Sequence, residues 1–152
     1  MEFYENKQEP EKAVLIAVDT GEYDCDISLD ELEELAETAG AEVVGRMSQK
    51  RDKPDSGTFL GSGRLEELGD FCKNNEVDLV IADSELAPAQ LRNIEKATDV
   101  RVIDRTTLIL DIFAERARSN EGKLQVELAQ LRYSLPRLMG QGTKLSRLGG
   151  GI

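Results

Sequence analysis

Apolar and polar positions alternate in blocks along the first two thirds of the chain. "AVLIAVD" (13–19) is a continuous apolar run closed by an acid, the pattern of a strand buried on both faces. "AEVVGRMSQ" (41–49), "VDLVIAD" (77–83) and "VRVIDR" (100–105) predict three further strands. Helical periods lie between them. Leu29, Leu32, Leu35 and Ala36 make one apolar face, with Ser28 and Glu31 spaced as a capping box and Gly40 as a left-handed terminator. "KRDKPDSGT" (50–58) is a turn-rich loop, and "FLGSGRLEELGDFCKNN" predicts a short strand, a Gly-Ser-Gly turn and a helix. Pro88 opens the helix "APAQLRNIEKAT", where its missing N–H is tolerated. Strands that alternate with helices, joined by connections long enough for crossovers, predict an α/β fold. Its parallel sheet has four to five strands with helices on both faces.

The pattern changes at Thr106. "TTLILDIFAERARSNEGKLQVELAQLRYSL" predicts about 30 residues of helix, roughly 45 Å if continuous. Leu108, Ile109, Ile112, Phe113 and Ala117 form a broad apolar face for packing on the sheet. Ser119 to Gly122 can kink or restart the helix, because glycine disfavours it and serine can cap it. Leu124, Leu128, Leu131, Leu135 and Leu138 then follow at spacings of 4, 3, 4 and 3, the narrow seam of a coiled coil. Pro136 is expected to end regular helix near Leu135. The seam needs a partner: the α/β body, a second copy through Leu124, Leu128, Leu131 and Leu135, or a helix beyond Ile152. The expected units are a lead-in (1–12), an α/β subdomain (13–105), a long helical segment (106–138) and a glycine-rich basic loop (139–152).

The chain has 152 residues, one domain's worth. No apolar run approaches the roughly 18 residues of a membrane span. The longest, "AVLIAV", follows acidic residues and does not read as a signal peptide. Cys25 and Cys72 form no C-x-x-C pair, and two reduced thiols in a cytoplasmic protein are expected. There is no histidine, which removes the commonest general base and most zinc sites, so neither a catalytic residue nor a metal ligand is expected in this chain. The net charge of −11 is uneven: residues 1–100 carry 25 acids and 10 bases (−15), and residues 101–152 carry 5 acids and 9 bases (+4). A contact with a polyanion would fall in the C-terminal third, although a solvated basic helix gives the same count.

Three sets of residues are candidates for chemistry. Asp19, Asp83 and Asp104 end predicted strands, where ligands of parallel sheets favour binding; capping of the next helix or turn is the simpler role. Gly61, Ser62, Gly63 and Arg64 precede a helix, where glycines and an N-terminus can hold a phosphate or make only a tight turn. The spacing matches neither G-x-G-x-x-G nor a P-loop, and no P-loop occurs in the sequence. Gly149, Gly150 and Gly151, with Arg137, Lys144 and Arg147 nearby, could contact a nucleic-acid backbone or be a plain linker.

Four segments carry a family resemblance: "FLGSGRLEEL" (59–68), "DSELAPAQLRNIEK" (83–96), "VIDRTTLILDIFAERARSNEGKLQVELAQLRYSLPRL" (102–138) and "LSRLGGGI" (145–152). From about Val14 onward the chain resembles the N-terminal region of the HflX family of translational GTPases. The resemblance implies a cytoplasmic protein that binds the large ribosomal subunit and dissociates stalled or idle ribosomes. It implies an α/β subdomain, two long helices paired antiparallel, and a G domain that binds GTP with Mg2+. The long helix here would be half of that hairpin, and the chain would stop inside the interhelical loop. This chain is therefore expected to be an isolated N-terminal domain or truncated homologue that holds no cofactor, with GTP hydrolysis in the absent part. Arg137, Lys144, Arg147 and Gly149 to Gly151 would approach rRNA near the peptidyl-transferase region. The family's N-terminal region is also associated with an ATP-dependent activity. That makes adenine-nucleotide binding or hydrolysis near Gly61 to Arg64 the alternative function.

Overall fold

The structure is a computed structural model that describes residues 9–139. Four strands, β1 (Lys12–Asp19), β2 (Glu42–Lys50), β3 (Leu79–Ala82) and β4 (Arg101–Asp104), form one sheet in the order β2-β1-β3-β4 with every pairing parallel. Alternate residues of β1 feed two cores. Val14, Ile16 and Val18 join Val80, Ala82 and Val102 under α2 (Ser62–Asn74) and α3 (Pro88–Thr98), which contribute Leu68, Cys72 and Ile94. Ala13, Leu15 and Ala17 join Leu79, Ile81 and Ile103 on the other face. There α1 (Cys25–Thr38) supplies Leu29, Leu32 and Ala36, and α4 (Arg105–Arg116) supplies Leu108 and Ile112. Burial on both faces is why β1 and β3 read as unbroken apolar runs. Cys25 and Cys72 are free and buried on opposite faces of the sheet.

Local chemistry revises three of the expected elements. α1 begins at Cys25, capped by Asp24, whose carboxylate accepts from the Ile27 amide at 3.1 Å. Ser28 lies in the first turn instead, and its hydroxyl donates to Asp83 at 3.0 Å. Glu31 pairs with Arg105 at 2.8 Å rather than closing a capping box. A carboxylate one turn upstream is a charge-assisted cap, so it takes the helix start. Gly40, at φ +94°, does terminate α1 in the left-handed region.

The short strand expected directly before the Gly-Ser-Gly turn is replaced by an isolated bridge between Asp55 and Phe59. Phe59 is held at φ +66° and exchanges two backbone hydrogen bonds with Asp55, while its ring is 1% exposed. A left-handed aromatic residue is costly, and burial of the ring, worth about 2–3 kcal/mol, offsets the strain. The Asp55 carboxylate clasps the tip by accepting from Gly57 at 2.8 Å and Thr58 at 3.0 Å.

The long helical segment is two helices, α4 and α5 (Asn120–Met139). Ala117 is extended (φ −68°, ψ 133°), and Ser119 restarts the helix by accepting from the Gly122 amide at 2.9 Å. α5 then runs through Pro136 to Met139. The proline forfeits one backbone hydrogen bond. The next residue, Arg137, ties the final turn to the body through the Leu86 carbonyl at 3.1 Å, so tertiary contact carries the helix past its breaker.

Candidate functional site

The strand ends meet the long helix at the carboxyl edge of the sheet. Asp104 ends β4 and is fully buried. One carboxylate oxygen caps α4 by accepting from Thr107 at 3.1 Å. The other accepts from the Leu86 amide at 2.9 Å and from the Tyr133 hydroxyl of α5, with Arg137 Nη2 at 3.9 Å. Three separate stretches of chain therefore converge on one carboxylate. Desolvation, and then the hydrogen bond to Asp104, raises the Tyr133 phenol above its ordinary value and keeps it a donor.

Asp83, at the end of β3, is buried and accepts from Tyr23, Ser28 and Ser84 at 2.9, 3.0 and 3.0 Å. Burial, followed by Asp83, likewise raises the Tyr23 phenol. Asp19 accepts from the Gly21 amide at 3.1 Å and shapes a turn. Of the three acids Asp104 is the helix cap, Asp19 a turn former and Asp83 an acceptor of hydroxyls. Among the described residues no group of three His, Cys, Asp or Glu side chains is gathered as a metal ion requires.

Gly61 is the N-cap of α2, and its amide is already taken by Gln49 Oε1 at 2.7 Å. A Cβ on Gly61 would meet Arg51 Nη1 at 2.7 Å, so the residue's smallness lets the basic side chain approach. Ser62, Gly63 and Arg64 form the first turn of α2, which has no side-chain cap and no acidic residue. Arg64 pairs with Glu67 at 2.9 Å. Lys50 and Arg51 also border a shallow depression of about 430 Å³ lined by Asp19, Thr20, Gly21 and Asp52. None of Gly61 to Arg64 lines this depression, and two carboxylates, Asp19 and Asp52, share its rim.

α5 presents two faces. Leu124, Leu128, Leu131, Leu135 and Leu138 are between 48% and 64% exposed, so the seam does not fold back on the α/β body. The half-buried stripe holds Val126 and Ala129 and is tied down by polar groups: Gln130 donates to Asp111 at 3.1 Å, Tyr133 to Asp104, and Arg137 to Leu86. Arg137 also donates to the Tyr133 carbonyl at 2.9 Å, and its guanidinium lies 3.5 Å from the centre of the Tyr133 ring. This side chain, expected at an RNA-facing tip, is therefore only 19% exposed and committed to partners within the chain. Lys144, Arg147, Gly149, Gly150 and Gly151 lie outside the described residues. Tyr133 and Gln130 do not stand out in the sequence because the leucine period dominates that helix; a second, polar stripe through Gln130, Tyr133 and Arg137 is the signal that marks them.

Among the described residues no helix is long and apolar enough to cross a membrane. Residues 26–114 match the family described as GTP-binding GTPase N-terminal, and residues 116–152 match that described as GTP-binding GTPase Middle Region. The chain is 54% identical over 145 residues to the GTPase HflX of Caldanaerobacter subterraneus subsp. tengcongensis, covering 95% of this chain and 34% of that protein. It is 53% identical over 152 residues to the GTPase HflX of Lacrimispora saccharolytica, covering 99% and 36%. The chain thus spans about a third of the length of these curated relatives. The crystal structure of a GTP-binding protein from the hyperthermophilic archaeon Sulfolobus solfataricus, in complex with GDP, matches with a TM-score of 0.64 at 27% identity, over 88% of this chain and 40% of that one. The parallel sheet, the helical pair that follows it and these two consecutive family matches place the chain in the HflX family of GTPases, as an N-terminal portion of such a protein.

Proposed function

We propose that this chain is the ribosome-binding N-terminal region of an HflX-type GTPase of the cytoplasm that associates with the large ribosomal subunit and helps dissociate ribosomes. The observation that carries the reading is α5: a helix with a bare leucine seam on one side, docked by polar bonds on the other, in the stretch that matches the middle-region family. A seam of this spacing pairs with a second helix. In this reading that helix lies in the part of the relatives that this chain does not span, and the pair forms an antiparallel hairpin. Residues 13–105 are the body, 106–138 lead into the arm, and 139–152 begin its tip. Lys144 and Arg147, with the amides of Gly149, Gly150 and Gly151, meet the rRNA backbone near the peptidyl-transferase region, and Arg137 stands at the base of the tip. GTP and Mg2+ bind in the G domain, since the relatives bear the name GTPase and this sequence holds no P-loop.

Cosedimentation of the chain with large ribosomal subunits over a salt series tests this. Affinity should fall steeply with salt. Lys144→Ala with Arg147→Ala should reduce the slope by about one unit for each phosphate that is no longer neutralised. Salt-independent binding, or binding unchanged in that double variant, refutes it.

A second reading is favoured by the N-terminus of α2, which has no side-chain cap and lies against Arg51. There the turn Gly61, Ser62, Gly63 and Arg64 holds the phosphates of an adenine nucleotide. Calorimetric titration of ATP, with Gly61→Ala and Arg51→Ala as controls, decides it. No heat at millimolar ATP ends this reading.

A further inference from the structure

The joint between α5 and the α/β body has an unusual composition. Every large apolar side chain of the leucine seam points away from the body. The half-buried side of α5 carries only the small apolar Val126 and Ala129 and a row of hydrogen bonds from Gln130, Tyr133 and Arg137. Apolar packing is non-directional and tolerates a range of angles, whereas hydrogen bonds fix direction. At its other end α5 is attached through Ala117, in extended conformation, and the serine cap at Ser119. A link of this kind can pivot. α5 has 20 residues, about 30 Å, so a swing of roughly 10° at the link would move its far end by about 5 Å. Something beyond the link must fix the angle.

We propose that Tyr133 and Arg137 are the positioning residues that set the direction in which α5 leaves the body, by gripping Asp104 and the Leu86 carbonyl. The grip has the properties this needs. Its acceptor, Asp104, is anchored independently of α5: it is fully buried and accepts from the amides of Thr107 and Leu86. Arg137 reaches the backbone of the loop ahead of α3 and stacks on Tyr133, so the two α5 side chains brace each other. The clasp lies about 20 Å from the link along the helix, far enough to act as the second fixed point of a lever. The direction of α5 matters to ribosome binding only if the arm acts as proposed above. The angle itself is measured without a ribosome, so either idea can fail alone.

The test is a distance measurement in the 152-residue chain. Glu34→Cys on α1 and Glu127→Cys on α5 place spin labels on two exposed positions, and double electron–electron resonance reads their separation. The buried native thiols of Cys25 and Cys72 have raised pKa values and resist labelling. The parent should give one narrow distance distribution. Tyr133→Phe, which deletes only the hydroxyl, should broaden it at least twofold, and Arg137→Gln should do the same. Amide exchange in β1 and β3 should stay as protected as in the parent in both variants. Unchanged distributions in both overturn the proposal. So does broadening accompanied by weaker protection in β1 and β3, because that reports general destabilisation and not a freed joint.

Discussion

Asp104→Ala should be among the most damaging single substitutions in this chain. The carboxylate is fully buried and serves four groups at once. Loss of the α4 cap costs about 1 kcal/mol, within a range of roughly 0.5–2. The Leu86 amide then lacks its acceptor in a buried setting, at about 1–3 kcal/mol. Tyr133 and Arg137 are partly accessible and recover some hydration, so each adds less. Against this stands relief from burying a charge, which offsets part of the loss. The net expectation is about 3 kcal/mol, a large share of the roughly 5–15 kcal/mol typical of a folded domain. For a chain of this size that lowers Tm by about 6–12 °C. Urea unfolding followed by far-ultraviolet circular dichroism gives the value, with an unchanged slope showing that both end states are preserved. Asp104→Asn keeps the shape and one acceptor oxygen, and should lose about half as much. A loss below about 1 kcal/mol for the alanine variant would refute the view that this carboxylate joins β4, the α3 approach and α5.

Two glycines of the same helix should respond in opposite directions. A Cβ at Gly63 meets nothing within 4 Å, so Gly63→Ala should stabilise by about 0.5–1 kcal/mol, whereas a Cβ at Gly69 would sit 2.9 Å from the Ala97 carbonyl of α3, so Gly69→Ala should destabilise by about 1 kcal/mol despite better helix propensity. Equal shifts in Tm for the two would contradict the close approach of α2 and α3. Leu128→Gln with Leu131→Gln should change the stability of the chain by less than about 0.5 kcal/mol per site, because both side chains are already exposed, yet should abolish any dimer seen by sedimentation. The amides of Gly57 and Thr58 hold the Asp55 carboxyl below its ordinary value of 3.8, so the clasp persists above that pH and is lost as pH falls through the depressed value. Amide shifts of Gly57 and Thr58 followed by NMR should titrate with a midpoint below 3.8, and a midpoint at or above it would rule the clasp out.

The sequence by itself determined the sheet and the existence of the leucine seam, whereas its outward direction came from the structure. Runs such as "AVLIAV" and "LVIA" have no polar position to turn toward water, so they fit only strands covered on both faces. The leucine spacing follows from helical geometry alone, and so does the absence of a P-loop from this stretch. Tertiary structure decided the rest, because it depends on which groups meet across space. Asp24 and not Ser28 starts α1, since Ser28 is claimed by Asp83 from a strand 55 residues away. Phe59 is left-handed and not extended, because a pocket between the sheet and its helices rewards the strained backbone. α5 continues through Pro136 because Arg137 anchors to Leu86, 51 residues distant. A local pattern says what a residue prefers when its neighbours are only those along the chain. The partner of a buried polar group is set by the desolvation cost of leaving it unpaired, and its nearest donors come from the fold. That is why Arg137, one basic residue among several in the sequence, becomes in the structure one of the side chains that tie α5 to the body.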